Sequence, residues 1–81
     1  MSIHVLFFAS LADLTGMRKT TVNAEDHRNI ASIFDHFTKA FPQLEDYRTS
    51  AHYALNSEFA QPETAVHDGD EVAFFPPVSG G

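Results

Sequence analysis

The beginning of the chain predicts two strands joined by a short connection. Residues 3–9 (IHVLFFA) are β-branched, aromatic and almost free of polar groups, which predicts a central strand buried mostly on both faces. Residues 11–16 (LADLTG) predict a short helical or irregular connection that ends at glycine. Residues 18–22 (RKTTV) predict a polar strand with alternate positions exposed, so the three segments together indicate an N-terminal hairpin.

One stretch has clear helical periodicity. Asn29 is a suitable N-cap, and the apolar residues that follow it at helical spacing share one face. These residues are Ile30, Ile33, Phe34, Phe37 and Phe41. Pro42 interrupts the pattern, so we expect the main helix to end before it. A phenylalanine-rich face of this kind is typical of a helix that packs on a sheet and not of a ligand pocket.

The second half of the chain predicts short strands separated by turns. Residues 52–55 (HYAL) and 58–60 (EFA) resemble two strands around a tight turn at Asn56-Ser57, whereas residues 43–50 favour no element. Asp68-Gly69-Asp70 has the composition of a turn, because glycine tolerates positive φ. A final strand over residues 71–75 (EVAFF) follows it directly.

This order of elements predicts an α+β domain of the β-grasp type over residues 1–75. We expect a mixed sheet of about five strands with one main helix packed on one face. The helix supplies the crossover that lets the last strand lie parallel beside the first.

Alternation along the first and last strands predicts an apolar surface patch. Phe75 shares a face with Glu71 and Ala73, and Phe8 shares the face of His4. If the two strands are neighbours, Phe8 and Phe75 form a patch on which partner proteins dock. The alternative, in which Phe75 folds back onto the core, stays open at this point.

The charge of the chain limits its partners. Eleven Asp and Glu stand against five Lys and Arg, which gives a net charge of -6 and excludes binding to the phosphate backbone of nucleic acid. An acidic surface suits docking on a basic cleft of another protein, or it serves solubility alone. No stretch is apolar and long enough to span a membrane, so we expect a cytoplasmic protein without a membrane partner.

Side chains for metal, redox or nucleophilic chemistry are scarce. The chain has no cysteine, which excludes disulfides, a cysteine-based zinc site and a thiol nucleophile. The five histidines lack the paired spacing of zinc ligands, and Asp68, Asp70 and Glu71 are typical of a turn and not of a calcium loop. A glycine-rich phosphate loop is also missing, so we expect neither a metal nor a cofactor on this chain.

The C-terminal residues 76–81 (PPVSGG) predict a flexible, extended tail. Pro76 and Pro77 cannot extend a sheet ladder and favour an exit away from the domain. Six extended residues reach about 20 Å, enough to enter the active site of a partner. Gly80 and Gly81 have no side chains, so a narrow channel can close around their backbone. Composition alone favours the plainer interpretation of a frayed terminus.

A family resemblance reverses that preference. Residues 68–81 (DGDEVAFFPPVSGG) and residues 5–9 (VLFFA) resemble the small, sulfur-carrying subunits of molybdopterin synthase, which belong to the MoaD/ThiS group of ubiquitin-like β-grasp proteins. Chain length and helix placement agree with the resemblance, whereas residues 23–66 match only in pattern. Thiamine-pathway carriers share the diglycine but usually lack the phenylalanine and proline pairs that precede it.

The resemblance implies a sulfur-transfer cycle at Gly81. A ubiquitin-activating-like adenylyltransferase uses ATP to adenylate the terminal carboxylate, and a persulfide donor converts it to a thiocarboxylate. The tail residues Pro76, Pro77, Val78, Ser79 and Gly80 then enter the large subunit of molybdopterin synthase, where Gly81 gives its sulfur to cyclic pyranopterin monophosphate. The chain is then a donor subunit that is not catalytic alone, in a heterotetramer of two carriers and two large subunits.

Other functions share the same tail. A ubiquitin-like modifier would use an activated Gly81 to form an isopeptide bond, and a carrier for thiamine or tRNA thiolation would pass the sulfur elsewhere. A plain interaction module would not use its diglycine.

Overall fold

The computed structural model describes residues 1–77, which form five strands, two α-helices and two 3₁₀ turns. The strands are β1 (Ser2–Phe7), β2 (Lys19–Asn23), β3 (His52–Leu55), β4 (Glu58–Ala60) and β5 (Glu71–Phe75). The helices are α1 (Ser10–Thr15) and α2 (Ile30–Ala40), and the 3₁₀ turns span Ala24–Asp26 and Pro42–Tyr47. The predicted α+β architecture, a five-stranded mixed sheet with one main helix, is confirmed.

The sheet has the strand order β2-β1-β5-β3-β4, which puts β1 and β5 in its interior. β1 pairs antiparallel with β2 and parallel with β5, as the two N-terminal strands and the crossover helix predict. β5 pairs antiparallel with β3, which continues through a tight turn into the edge strand β4. Asn56 and Ser57 both have positive φ in that turn, as a two-residue hairpin with the twist of the strands requires.

Helix α2 covers one face of the sheet, and the core lies between them. Its N-terminus is capped as predicted, since the Ser32 N–H donates to Asn29 Oδ1 at 2.9 Å. The ring of Phe37 meets the edge of Phe7 at 5.0 Å between centroids, and Phe34 lies 5.6 Å from Phe74. Aromatic pairs at such separations add to the hydrophobic stabilisation of the core.

Only one face of β1 is buried, so the prediction of burial on both faces is wrong. Val5 and Phe7 lie in the core, whereas His4 is exposed and Leu6 is half-buried. The single main helix of this small domain covers one face of the sheet, so the apolar residues on the other face keep part of their surface in water. The strand also ends earlier than predicted, at Phe7, because Ala9 turns the chain with φ 53°.

A polar network at one end of the sheet joins the start of β5 to the β3–β4 turn. The carboxylate of Asp70 accepts from the His67 N–H at 2.8 Å and from Nδ2 of Asn56 at 3.1 Å. Asn56 Oδ1 accepts in turn from the Glu71 N–H at 2.9 Å, which joins the β3–β4 turn to the start of β5. The side chain of Asp70 therefore connects two turns that are distant in sequence and sets where β5 begins.

Substitution of Asp70 by alanine tests this network. We expect D70A to lower the free energy of unfolding by about 1–3 kcal/mol, because two hydrogen bonds are lost and their donors are left without a charged partner. Urea unfolding followed by circular dichroism measures the change. Asp46→Ala, at an exposed acid in the second 3₁₀ turn, is the control and should change stability by no more than about 0.5 kcal/mol. Equal losses in the two variants would contradict a role for the network.

Candidate functional site

The face of the sheet opposite α2 is an apolar groove with a floor of small residues. Strand pairing places Leu6 beside Ala73, Ala73 beside Ala54 and Ala54 beside Phe59, so these four residues form one row across four strands. Ala54 and Ala73 are each only 7% exposed because larger side chains rise around them. A floor of alanines between larger side chains makes a depression that a partner side chain can enter.

Three phenylalanines form the walls of this groove, and we call Phe8, Phe59 and Phe75 the phenylalanine patch. The rings of Phe8 and Phe75 stack with 4.6 Å between centroids and 10° between planes. Phe8 is 40% exposed and Phe59 is 86% exposed, whereas Phe75 is half-buried. The structure thus brings together the two predicted patch residues, and Phe75 does not fold back onto the core. A cluster of exposed aromatic rings is typical of a protein-binding surface.

Phe59 is the patch member that sequence reasoning missed. Strand β4 has only three residues, too few to show an alternating pattern. The signal was the turn at Asn56-Ser57, because a two-residue hairpin fixes the register and sets residue 59 opposite residue 54. Because paired residues lie on the same face, Phe59 shares the open face with Ala54. It is exposed because β4 is an edge strand.

The position of Phe8 depends on an unusual backbone conformation at Ala9. Ala9 has φ 53° and ψ −127°, a combination that side chains disfavour and that costs about 1–3 kcal/mol. The Leu11 N–H donates to the Phe8 carbonyl at 3.1 Å across this turn, while the Phe8 N–H donates to the Phe74 carbonyl at 3.1 Å. Phe8 thereby stays attached to β5 although β1 has ended.

The C-terminal segment leaves the sheet at the rim of the patch. Phe75 is the last residue of β5 and lies opposite His52 of β3, and Pro76 lines a cavity of about 310 Å³ together with the phenylalanine patch. Pro77 is exposed. The predicted tail residues Val78, Ser79, Gly80 and Gly81 lie outside the described residues. The patch and the root of the tail are therefore adjacent.

The charged cluster around Arg48 has a structural role. Arg48 forms ion pairs with Asp35 at 2.6 Å and with Glu45, and its guanidinium lies 5.0 Å from the ring centre of Phe34. The hydrogen bonds that the Arg48 guanidinium donates to the carboxylates of Glu45 and Asp35 raise the pKa of Arg48. Burial raises the pKa of Tyr53, whose hydroxyl donates to the Arg48 carbonyl at 3.1 Å. These contacts fasten the second 3₁₀ turn to α2.

Residues 1–77 contain no cluster of three or more His, Asp or Glu side chains that could hold a metal ion. Within the same part of the chain, neither helix has the length and apolar character needed to cross a membrane.

The fold and the groove define a β-grasp domain with an open aromatic face beside the root of its C-terminal segment. Residues 5–81 match the model of the ThiS family, and the chain belongs to this family. It is 35% identical over 83 residues to the molybdopterin synthase sulfur carrier subunit of Chlamydomonas reinhardtii, with all of both chains covered. It is 39% identical over 83 residues to the subunit of the same name from Escherichia coli, covering 98% of this chain and 99% of that one.

A solved structure extends the comparison to the fold. The small archaeal modifier protein SAMP1 of Haloferax volcanii superposes with a TM-score of 0.82 at 31% identity, with all of both chains covered. The ubiquitin-like β-grasp fold and the family resemblance seen in the C-terminal residues are both confirmed.

Substitutions of the exposed Phe59 and of the buried Phe74 should differ in their effect on stability. We expect Phe59→Ser to change the free energy of unfolding by no more than about 0.5 kcal/mol, because the ring is 86% exposed. Phe74→Ala should cost about 3–5 kcal/mol, since Phe74 is fully buried against three aromatic rings. Thermal and urea unfolding of the two variants measure the difference. A large loss in Phe59→Ser would show that Phe59 packs in the fold and is not free for a partner.

Proposed function

We propose that the chain is the sulfur carrier subunit of a molybdopterin synthase and works as a donor to a larger catalytic subunit. One observation carries the proposal: two relatives with this name match the chain over nearly its whole length at 35% and 39% identity. The family match runs through residue 81 and so includes the diglycine.

The proposed reactive group is the carboxylate of Gly81. The carboxylate oxygen attacks the α-phosphorus of ATP in an activating adenylyltransferase, which releases pyrophosphate and leaves an acyl-adenylate. A persulfide sulfur then attacks the carbonyl carbon and expels AMP. A thiol cleaves the sulfur–sulfur bond of the resulting acyl persulfide, which leaves a thiocarboxylate on Gly81 and a disulfide on the donor. In the large subunit the thiocarboxylate sulfur finally bonds to a carbon of cyclic pyranopterin monophosphate, and water hydrolyses the resulting thioester, which leaves the sulfur on the pterin and restores the Gly81 carboxylate.

The composition of the chain supports this division of labour. A chain without cysteine has no thiol to carry sulfur, and an acyl group at the terminus supplies an alternative. The groups that bind ATP and the pterin then belong to the partners. The carrier contributes a folded body for docking and residues 76–81 for reach, which extend to about 20 Å.

Docking is assigned to the phenylalanine patch. The stacked Phe8 and Phe75 and the exposed Phe59 provide an apolar centre, and the net charge of -6 suits partners with a basic rim. The adenylyltransferase and the large subunit both need access to Gly81, so we assign both to this surface in turn.

A second function is favoured by the similarity to SAMP1, which is called a modifier and is 31% identical over the whole chain. A modifier would join the activated Gly81 to a lysine amine of another protein. Activation is common to both functions, and the acceptor distinguishes them.

Intact mass tests the carrier chemistry. Incubation with the adenylyltransferase of the same organism, ATP and a persulfide donor should add about 16 Da, because sulfur replaces one oxygen of the Gly81 carboxyl. A variant lacking Gly81 should gain nothing. Addition of the large subunit and the pterin precursor should reverse the gain and yield molybdopterin. Absence of any gain with an active donor system contradicts the carrier function, and conjugates to lysine without sulfur gain favour the modifier.

Substitution in the phenylalanine patch tests docking. We expect Phe75→Asp and Phe59→Asp each to weaken binding to the large subunit by at least about tenfold, because an aromatic anchor is lost and a carboxylate is buried in its place. Isothermal titration measures the affinity. Gln43→Asp, at an exposed position in the second 3₁₀ turn, adds the same charge outside the patch and is the control. Phe59→Asp should keep the fold because of its exposure, so unchanged affinity in that variant rejects the patch as the docking surface.

A further inference from the structure

A second groove, different in charge, lies next to the phenylalanine patch. It has a volume of about 470 Å³ and runs between α1 and the start of β2. Its walls include Leu6, Phe8, Ala12, Asp13, Arg18 and Lys19. We call it the basic groove, because two cations face a single carboxylate there.

The basic groove is an exception on an acidic protein. The chain has only five Lys and Arg in all, and Arg48 is held by Asp35 and Glu45. Arg18 and Lys19 are both exposed, and neither forms an ion pair within residues 1–77. Two adjacent cations that form no ion pair with any described residue therefore line a concave surface with apolar walls. Next to such walls a charge pair is screened less than in open solvent.

The basic groove is continuous with the phenylalanine patch. Leu6 and Phe8 line both the basic groove and the alanine-floored groove. Lys19 is the register partner of Leu6, so its side chain extends the same row of the open face to the edge strand β2. A partner protein that covers Phe8 therefore also places some of its residues next to Arg18 and Lys19.

We propose that the basic groove binds a carboxylate side chain of the large subunit when that subunit docks on the phenylalanine patch. The inference rests on the proposed function, since it names a feature of the same partner. The guanidinium of Arg18 can bind a carboxylate with two parallel hydrogen bonds, and the ammonium of Lys19 adds a second charge. The rest of the acidic surface repels carboxylates, so this contact fixes the orientation of the partner on the patch.

Charge reversal in the basic groove tests the proposal, because the two possibilities change the affinity for the large subunit in opposite directions. Arg18→Glu/Lys19→Glu makes the carrier more negative, and if the facing surface of the large subunit is only basic, binding tightens. If a carboxylate faces the groove, binding weakens, and we expect a loss of about tenfold or more in affinity. Arg28→Glu/Lys39→Glu is the matched control, because it changes the net charge equally at two exposed cations outside the groove.

Binding of the full-length carrier to the large subunit of the same organism is measured by titration, with circular dichroism to verify folding. The neutral variant Arg18→Gln/Lys19→Gln should also lose affinity, by less than the reversal, which excludes repulsion created by the new glutamates as the cause. Affinity at the level of the control, or tighter, for both groove variants overturns the proposal. If Phe59→Asp and the 16 Da gain behave as expected in the same preparations, that failure concerns the basic groove alone and leaves the proposed function intact.

Discussion

The parallel pairing of β5 with β1 is the constraint on which the rest of the structure depends. Parallel neighbours need a long crossover, and the segment between β2 and β5 supplies it with α2, which covers one face of the sheet. The pairing also sets Phe74 beside Phe7 in the core, and Phe8 stacks on Phe75 on the open face. One register therefore fixes both the core and the candidate docking surface, and the network around Asp70 joins the start of β5 to the β3–β4 turn.

The open face is a consequence of size. A chain of 81 residues with one main helix buries one side of its sheet, so apolar residues on the other side stay in contact with water. Alanine at positions 54 and 73 limits the apolar area at the centre, and aromatic rings surround it. Exposed rings contribute little to folding but contribute strongly to association, so their presence around a concave floor is easier to explain by binding than by stability.

Elements with strong local signals could be predicted from the sequence. Burial and exposure could not, because they depend on which other elements pack nearby. Asn29 and Pro42 delimit α2 by capping and chain geometry, and both act locally. Burial of β1 could not be read from residues 3–9, because an apolar run does not say how many layers will cover it. The exposure of Phe8 depends on which face of the sheet α2 covers. Phe59 lies in a strand of three residues, which is too short to show an alternating pattern. The sequence predicts Arg18 and Lys19 only as the start of a polar strand, and their position beside Leu6 and Phe8 follows from the fold.

Phe75 belongs to the patch and is also the last residue before Pro76, so under the proposed function docking is coupled to delivery of the terminus. If a partner holds the patch, Pro76 is held with it, and the C-terminal carboxylate can lie no farther away than about 20 Å, the length of six fully extended residues. Confinement of this kind makes the reaction of the terminus effectively intramolecular and raises its local concentration without any new contact to the tail. A tail with a distant root would lose that advantage, because its terminus would search a larger volume. Under the proposed function, the adjacency of the patch and Pro76 brings the Gly81 carboxylate within reach of the active site of the partner that holds the patch.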